Sequence, residues 1–301
     1  MRVISTERSQ VLAAGLAEKL GVPIVDVKFS RFPDGELYLR AGELDDETIL
    51  VGSVPDNDAL VQLLLLTDAC NGSRVRLVLP YMAYARQDKR FNPGEPLSAR
   101  AVARALSTGV DECFTINIHE PGVLDHFSSP VRNISLAPDI GTYIAAKHLK
   151  SPLILAPDEG AAAFAQDVAA VSRFDCDHLE KTRISGEVVK MAPKRLDAAN
   201  RTVVIVDDII STGGTIATAA QMLAEQGANA VYAACVHGVF TEGAYARLIA
   251  AGIKEVAASD TIERGCSRYS AADRIAAALA RRKGRQEIPG MRRSERTGAL
   301  P

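Results

Sequence analysis

Cysteine is sparse and scattered. The five residues Cys70, Cys113, Cys176, Cys235 and Cys266 form no CxxC pair and have no histidine at finger spacing, which argues against a zinc ribbon or a disulfide framework. They read as small buried hydrophobes in a reducing compartment. Long apolar runs are also missing. No stretch approaches the ~18 apolar residues of a membrane span, and the opening MRVISTERSQ has no apolar core behind a basic start, so it does not read as an export signal. A cytoplasmic location and no membrane partner are expected. Net charge is nearly absent too: 35 Lys and Arg stand against 37 Asp and Glu, for −2 at pH 7. No broad field therefore recruits nucleic acid, and a small-molecule ligand is the better expectation.

The material present is that of an α/β protein. A chain of 301 residues exceeds the usual single core and predicts two domains of roughly 150 residues. Short Val/Ile-rich runs alternate with longer Ala/Leu segments of helical period, the pattern of helices around a mostly parallel sheet. Strands are expected at 2–5, 24–29, 48–54, 75–79, 113–118, 153–156, 202–207, 230–236 and 255–257. Helices are expected from Ser9 to Leu20, from Ser98 to Ser107 and from Thr215 to Gln226, closed by Gly21, Gly109 and Gly227, since glycine favours the left-handed residue after a helix. The boundary falls near Ala137 to Asp139, dividing the chain into 1–138 and 139–282. The tail 283–301 has too little apolar content to pack and reads as disordered.

The most informative segment is VVIVDDIISTGGT, Val203 to Thr215. A buried strand ending in Asp207 and Asp208 sets two carboxylates where ligands of open α/β sheets collect. Ser211, Thr212, Gly213, Gly214 and Thr215 can then wrap N–H groups and hydroxyls around a phosphate at a helix N-terminus. Neither GxxxxGK[ST] nor GxGxxG occurs, so Walker-type and dinucleotide sites lose support. Carboxylates for sugar hydroxyls and amides for a phosphate suit a phosphorylated sugar.

This segment resembles the phosphoribosyl-pyrophosphate-binding loop shared by type I phosphoribosyltransferases and ribose-phosphate pyrophosphokinases. Four further segments are similar to the pyrophosphokinases. SRFPDGELYLR, Ser30 to Arg40, resembles the part that meets the ATP base, often from a neighbouring subunit, with Phe32 as a stacking face and Asp34 and Glu36 as acceptors; by itself it reads as a Pro-Gly hairpin turn. LPYMAYARQDKRFNPGEPLSAR, Leu79 to Arg100, resembles the second ATP segment, with Arg86 and Gln87 on the nucleotide, and its RFNPGEP portion looks more like archaeal-type sequences. TINIHEPGVLDHF, Thr115 to Phe127, resembles a metal and ATP segment that usually reads Asp-x-His. His119 matches its histidine, while Asn117 replaces the aspartate and removes a hard anionic ligand. LEKTRISGEVV, Leu179 to Val189, resembles the catalytic loop, with Lys181 and Arg183 as its cations.

The resemblance implies two phosphoribosyltransferase-like lobes and transfer of the β,γ-diphosphoryl group of ATP to O1 of ribose 5-phosphate. It implies Mg2+ as cofactor, with His119 and Asp158 at the metal, and a homo-oligomer, dimer or larger, that shares its ATP site. Asp158, in APDEGAAAFA, reads equally as the N-cap of the next helix. A phosphoribosyltransferase, or a weakly active regulatory paralogue favoured by Asn117, are the alternatives.

Overall fold

The computed structural model describes residues 1–183, 189–191 and 197–280, with backbone alone at 181–183 and 189–191. The expected tail, 283–301, lies outside the described residues. The first half is built on β1 (Arg2–Ser5), β4 (Glu47–Val51), β5 (Arg74–Leu79), β6 (Glu112–Ile116) and β7 (Val131–Ile134), in the spatial order β1-β4-β5-β6-β7. Every neighbouring pair is parallel. Helices α1 (Gln10–Leu20), α2 (Asn57–Ala69) and α3 (Ser98–Ser107) cover it.

The second half carries a six-stranded parallel sheet among the described residues. Its strands are β8 (Leu153–Ala156), β9 (Asp175–His178), β12 (Thr202–Ile210), β13 (Ala230–Gly238), β14 (Ile253–Ser259) and β15 (Ser267–Tyr269), ordered β15-β14-β13-β12-β8-β9. Its helices are α4 (Ala137–Ala146), α5 (Ala162–Ala170), α6 (Gly214–Glu225), α7 (Ala244–Ala250) and α8 (Ala272–Ala280). Two antiparallel hairpins stand apart from the sheets: β2 (Val27–Arg31) with β3 (Leu37–Ala41), and β10 (Lys181–Arg183) with β11 (Val189–Met191).

Local chemistry accounts for these elements. Helix α1 ends where Gly21 takes φ 64° and Val22 N–H reaches back to Ala17 O at 3.1 Å, a Schellman closure that needs a left-handed residue. Helix α2 starts at Asp56, whose carboxylate accepts from Ala59 N–H at 2.9 Å and so satisfies a donor the helix cannot. The apolar run of β12 lies between β13 and β8, and a strand covered on both faces has no polar alternation to show.

Apolar burial is arranged in three clusters among the described residues. On the outer face of the first sheet, α2 and α3 enclose Leu50, Leu63, Leu77 and Leu106. On the outer face of the second, α6 and α7 enclose Val203, Ile205, Leu223 and Leu248. Between the sheets, α1, α4, α5 and α8 share one continuous core in which Leu12, Leu16 and Phe114 meet the same cluster as Ile140, Ile154, Val206 and Ile275. Each such side chain contributes about 1.5–3 kcal/mol when fully buried. Helix α8 follows the second sheet in sequence yet lies on α1, where Lys19 pairs with Asp273 at 2.8 Å. Helices α4 and α5 approach closely at Gly141, where a Cβ would sit 2.4 Å from Val168 O.

Three details depart from the expected strands. Ile24 only bridges Val3, and β2 starts at Val27. The alternating VKFSR pairs with LYLRA across a Phe32–Gly35 turn, closed by Gly35 N–H to Phe32 O at 2.9 Å, with proline and glycine at the positions such a turn favours. Strand β12 runs past the aspartates to Ile210, because β13 continues beside it to Gly238. Strands β7, β9 and β15 were not expected; all are short edge strands, where a strand need not be continuously apolar.

Candidate functional site

The chemistry-bearing residues gather at the carboxyl ends of strands, as ligand sites of parallel sheets do. Arg86 follows β5, His119 follows β6, Asp158 follows β8, and Asp207 and Asp208 lie on β12. In the second sheet β12 stands where the order reverses, with β13 to β15 on one side and β8 and β9 on the other. A cleft of about 690 Å³ opens here between the halves, and Arg86, His119, Asp158, Asp207, Asp208 and Ser211 all line it.

A hydrogen bond spans the cleft. His119 Nδ1 lies 2.7 Å from Asp208 Oδ2. The hydrogen bond to Asp208 raises the His119 pKa, against a lowering by burial. At Asp208 burial acts to raise the carboxyl pKa, but the bond and charge of His119 outweigh it, so Asp208 is held below the usual carboxylate range. Asp207 differs. Burial, then the charge of Asp208, push its carboxyl well above the ordinary value, and the hydrogen bond from Asp208 N–H at 2.9 Å opposes this only in part. The cleft therefore holds excess negative charge that a cation or sugar hydroxyls would relieve.

The loop after β12 is shaped for an anion. Gly213 takes φ 70° and precedes α6 without a side-chain cap, which leaves the first N–H groups of the helix available to a phosphate. A parallel segment braces it: Phe240 N–H donates to Ile210 O at 3.0 Å and Thr241 N–H to Ser211 O at 3.2 Å. The Arg247 guanidinium donates to Thr212 O and, at 3.0 Å, to Glu242 O. A Cβ on Gly213 would press on Leu248 at 3.2 Å, so glycine is needed for space as well as for φ.

Asp158 does what its capping reading requires, accepting from Ala161 N–H at 3.1 Å, and also lines the cleft. Asn117 lines the same cleft. It adopts φ 38°, which asparagine tolerates better than most residues, and its side-chain oxygen accepts from Leu136 N–H at 2.7 Å ahead of α4. Among the described residues no group of three or more His, Cys, Asp or Glu forms a closed metal cage.

Other expected residues lie elsewhere. Phe32, 50% exposed, packs edge-on to Tyr38 at 5.7 Å on the β2-β3 hairpin, and Asp34 accepts from Glu36 N–H at 3.3 Å. Neither Phe32, Asp34 nor Glu36 lines the cleft of this chain. Gln87 accepts from the Ser98 hydroxyl. Lys181 and Arg183 lie on the β10-β11 hairpin, and their side chains are outside the described residues. Three residues that hold the site were missed in the sequence: Thr241 and Arg247 behind the loop after β12, and His237 between the halves. A lone histidine within the apolar VYAACVHGVF was the one signal available for the last.

Comparison with known proteins identifies the family. The family described as the N-terminal domain of ribose phosphate pyrophosphokinase matches residues 1–109, and the phosphoribosyl transferase domain matches 135–273. The chain is 49% identical over 284 residues to a ribose-phosphate pyrophosphokinase of Methanosarcina acetivorans, covering 93% of this chain and all of the relative. It is 43% identical to that of Methanopyrus kandleri, covering 93% and 98%. A crystal structure of phosphoribosylpyrophosphate synthetase from Mycobacterium smegmatis superposes with a TM-score of 0.80 at 28% identity, over 92% of this chain and 97% of that one. The two lobes are phosphoribosyltransferase-like, and the chain belongs to the ribose-phosphate pyrophosphokinase family.

Proposed function

We propose that the protein transfers the β,γ-diphosphoryl group of ATP to O1 of ribose 5-phosphate, forming phosphoribosyl pyrophosphate and AMP. The observation that carries this reading is the 2.7 Å bond between His119 of the first half and Asp208 of the second. It supports a site in which a histidine for the nucleotide phosphates and a carboxylate for the sugar share one cleft. O1 attacks the β-phosphorus in line, the bond from that phosphorus to the α,β-bridging oxygen breaks, AMP leaves with that oxygen and its electron pair, and the O1 proton passes to water.

Asp207 and Asp208 hold the ribose hydroxyls, and Ser211, Thr212, Gly213, Gly214 and Thr215 hold the 5-phosphate. Arg86, Gln87 and His119 hold the ATP phosphates. Phe32, Asp34 and Glu36 bind the base in the cleft of a neighbouring subunit, which requires a homodimer or larger ring. Lys181 and Arg183 neutralise charge as the diphosphoryl group moves, so catalysis is positioning plus electrostatics.

A magnesium ion fits this donor set, because Asp158, Asp207 and Asp208 line one cleft and magnesium is usually held by one or two carboxylates together with substrate phosphates. His119 and Asp158 would hold it; when bound it neutralises ATP phosphate charge. Residues 1–138 form the ATP half and 139–282 the sugar half. The protein works in the cytoplasm, consistent with five unpaired thiols.

The test is AMP formation from ATP and ribose 5-phosphate with magnesium, on wild type and Lys181→Ala. Wild type should form AMP, and the variant should lose about 10²-fold or more in kcat. Wild type that binds both substrates yet forms no AMP would sink the reading and favour a regulatory paralogue; diphosphate release that depends on a nucleobase would favour a transferase.

A further inference from the structure

His237 lies on β13, level with Ile209 on the adjoining β12 and so beside the Asp207-Asp208 pair. It is 2% exposed, and its ring faces three strand ends of the two halves. Nε2 lies 3.1 Å from Ile116 O and 3.3 Å from Asn117 O, at the end of β6. The ring lies 5.0 Å from that of Tyr81, centroid to centroid, just beyond β5. Nδ1 lies 2.9 Å from the Thr261 hydroxyl, and Thr261 O in turn accepts from the Ser53 hydroxyl just beyond β4.

The partners assign the tautomer. Two carbonyl oxygens at Nε2 can only accept, so Nε2 carries the hydrogen, and Nδ1 accepts from Thr261. Ser259 Oγ donates to Val236 O at 2.7 Å and accepts from Thr261 N–H at 3.1 Å, and the Thr261 hydroxyl, within reach of Nδ1, also lies 3.0 Å from Val236 O and 2.8 Å from Ser259 Oγ, which ties the ring into one buried network. Burial lowers the His237 pKa to about 4, so the neutral ring is the form that works near pH 7.

The backbone His237 holds is an unusual one. Asn117 takes a left-handed φ of 38°, ties its own side chain to Leu136 N–H, and is followed two residues later by His119. We propose that His237 is a positioning residue: its Nε2–H pins the Ile116-Asn117 turn of the first half to the sugar-binding strand of the second, and so sets where His119 stands relative to Asp208. This rests on the diphosphoryl-transfer reading above and deepens it. An error of about 1 Å in such placement costs about 10²-fold in rate. The 5-phosphate loop belongs wholly to the second half, so its affinity does not depend on this link.

The experiment compares His237→Leu, which removes the donor, with His237→Gln, whose amide can place an N–H near Nε2, and Thr261→Val, which removes the donor to Nδ1. Steady-state AMP formation, melting temperature and hydrogen exchange of the peptide 116–120 are measured on the full chain. His237→Leu should lower kcat by about 10–100-fold with the KM for ribose 5-phosphate within about two-fold of wild type. His237→Gln should recover most of that loss, Thr261→Val should lose about 3–10-fold, and exchange should rise in 116–120. The proposal is overturned if kcat stays within two-fold in His237→Leu, if KM for ribose 5-phosphate rises in proportion to the loss of kcat, or if the glutamine variant is no better than the leucine. Should His237→Leu not fold, unchanged kcat in Thr261→Val overturns it alone. If wild type forms no AMP, the transfer reading fails by itself, and the exchange of 116–120 still decides whether His237 holds the turn.

Discussion

Asp207→Asn should make the protein more stable and disable it, with a gain that depends on pH. The Asp207 carboxyl is raised by burial and then by the Asp208 charge. An acid whose folded pKa exceeds its unfolded value, about 3.9, binds more protons folded than unfolded between the two. Stability therefore falls as pH rises from the unfolded value through the folded one, and the deficit is complete above it. Asparagine keeps the acceptor for Asp208 N–H and removes the charge. Two unit charges at about 4 Å repel by about 4 kcal/mol at an effective dielectric of 20. His119 cancels much of the Asp208 charge and both carboxylates keep some contact with water, so about 1–2 kcal/mol should remain. At roughly 2–4 °C per kcal/mol for a chain of this class, Asp207→Asn should melt about 2–8 °C above wild type at pH 8. The gain should vanish near pH 4, where both side chains are neutral. The Asp208-His119 pair is common to both proteins. Its Asp208 part is lost as pH falls through that group's depressed pKa, and its His119 part as pH rises through the raised one. Scanning calorimetry across pH 4–8 reads the difference, and the KM for ribose 5-phosphate reports the lost sugar contact. An equal gain at both ends of the range, or a loss at pH 8, would refute the electrostatic account.

Two other perturbations follow from the geometry. Gly141→Ala forces a methyl against Val168 O and Val171, and overpacking of this kind costs about 1–3 kcal/mol; urea denaturation should show a lower midpoint with the denaturant slope unchanged. Asn117→Asp keeps an oxygen for Leu136 N–H and adds a charge to the cleft, so the magnesium concentration giving half-maximal AMP formation should fall. An unchanged or higher value in a folded variant would show that position 117 lies outside the metal's reach.

The legible parts of the sequence were those decided locally. Helices ending in Gly21, Gly109 and Gly227 announced themselves, because a left-handed residue after a helix is a backbone requirement; all three adopt positive φ. The central strands β8, β12 and β13 were visible as continuous apolar runs, which burial on both faces demands. Edge strands such as DCDH of β9 were invisible, since half their backbone is unpaired and their side chains are mixed. Within the site, Asp207, Asp208 and the glycines after them could be read from type and order alone. His237 could not, because its partners are carbonyls more than a hundred residues away, and a carbonyl has no signature in sequence. Asn117 was visible as a departure, but its bond to Leu136 was not.

The middle layer of helices governs how this molecule can move. Because α1 and α8 lie together on the first sheet while α4 and α5 lie on the second, all in one core, the halves are not beads on a hinge. Rotating one against the other would tear open the apolar core that the four helices share. A chain cut near residue 138 would leave α1 without α8 and expose that surface to water. The block acts as a single jig that keeps the strand ends of the two halves in register.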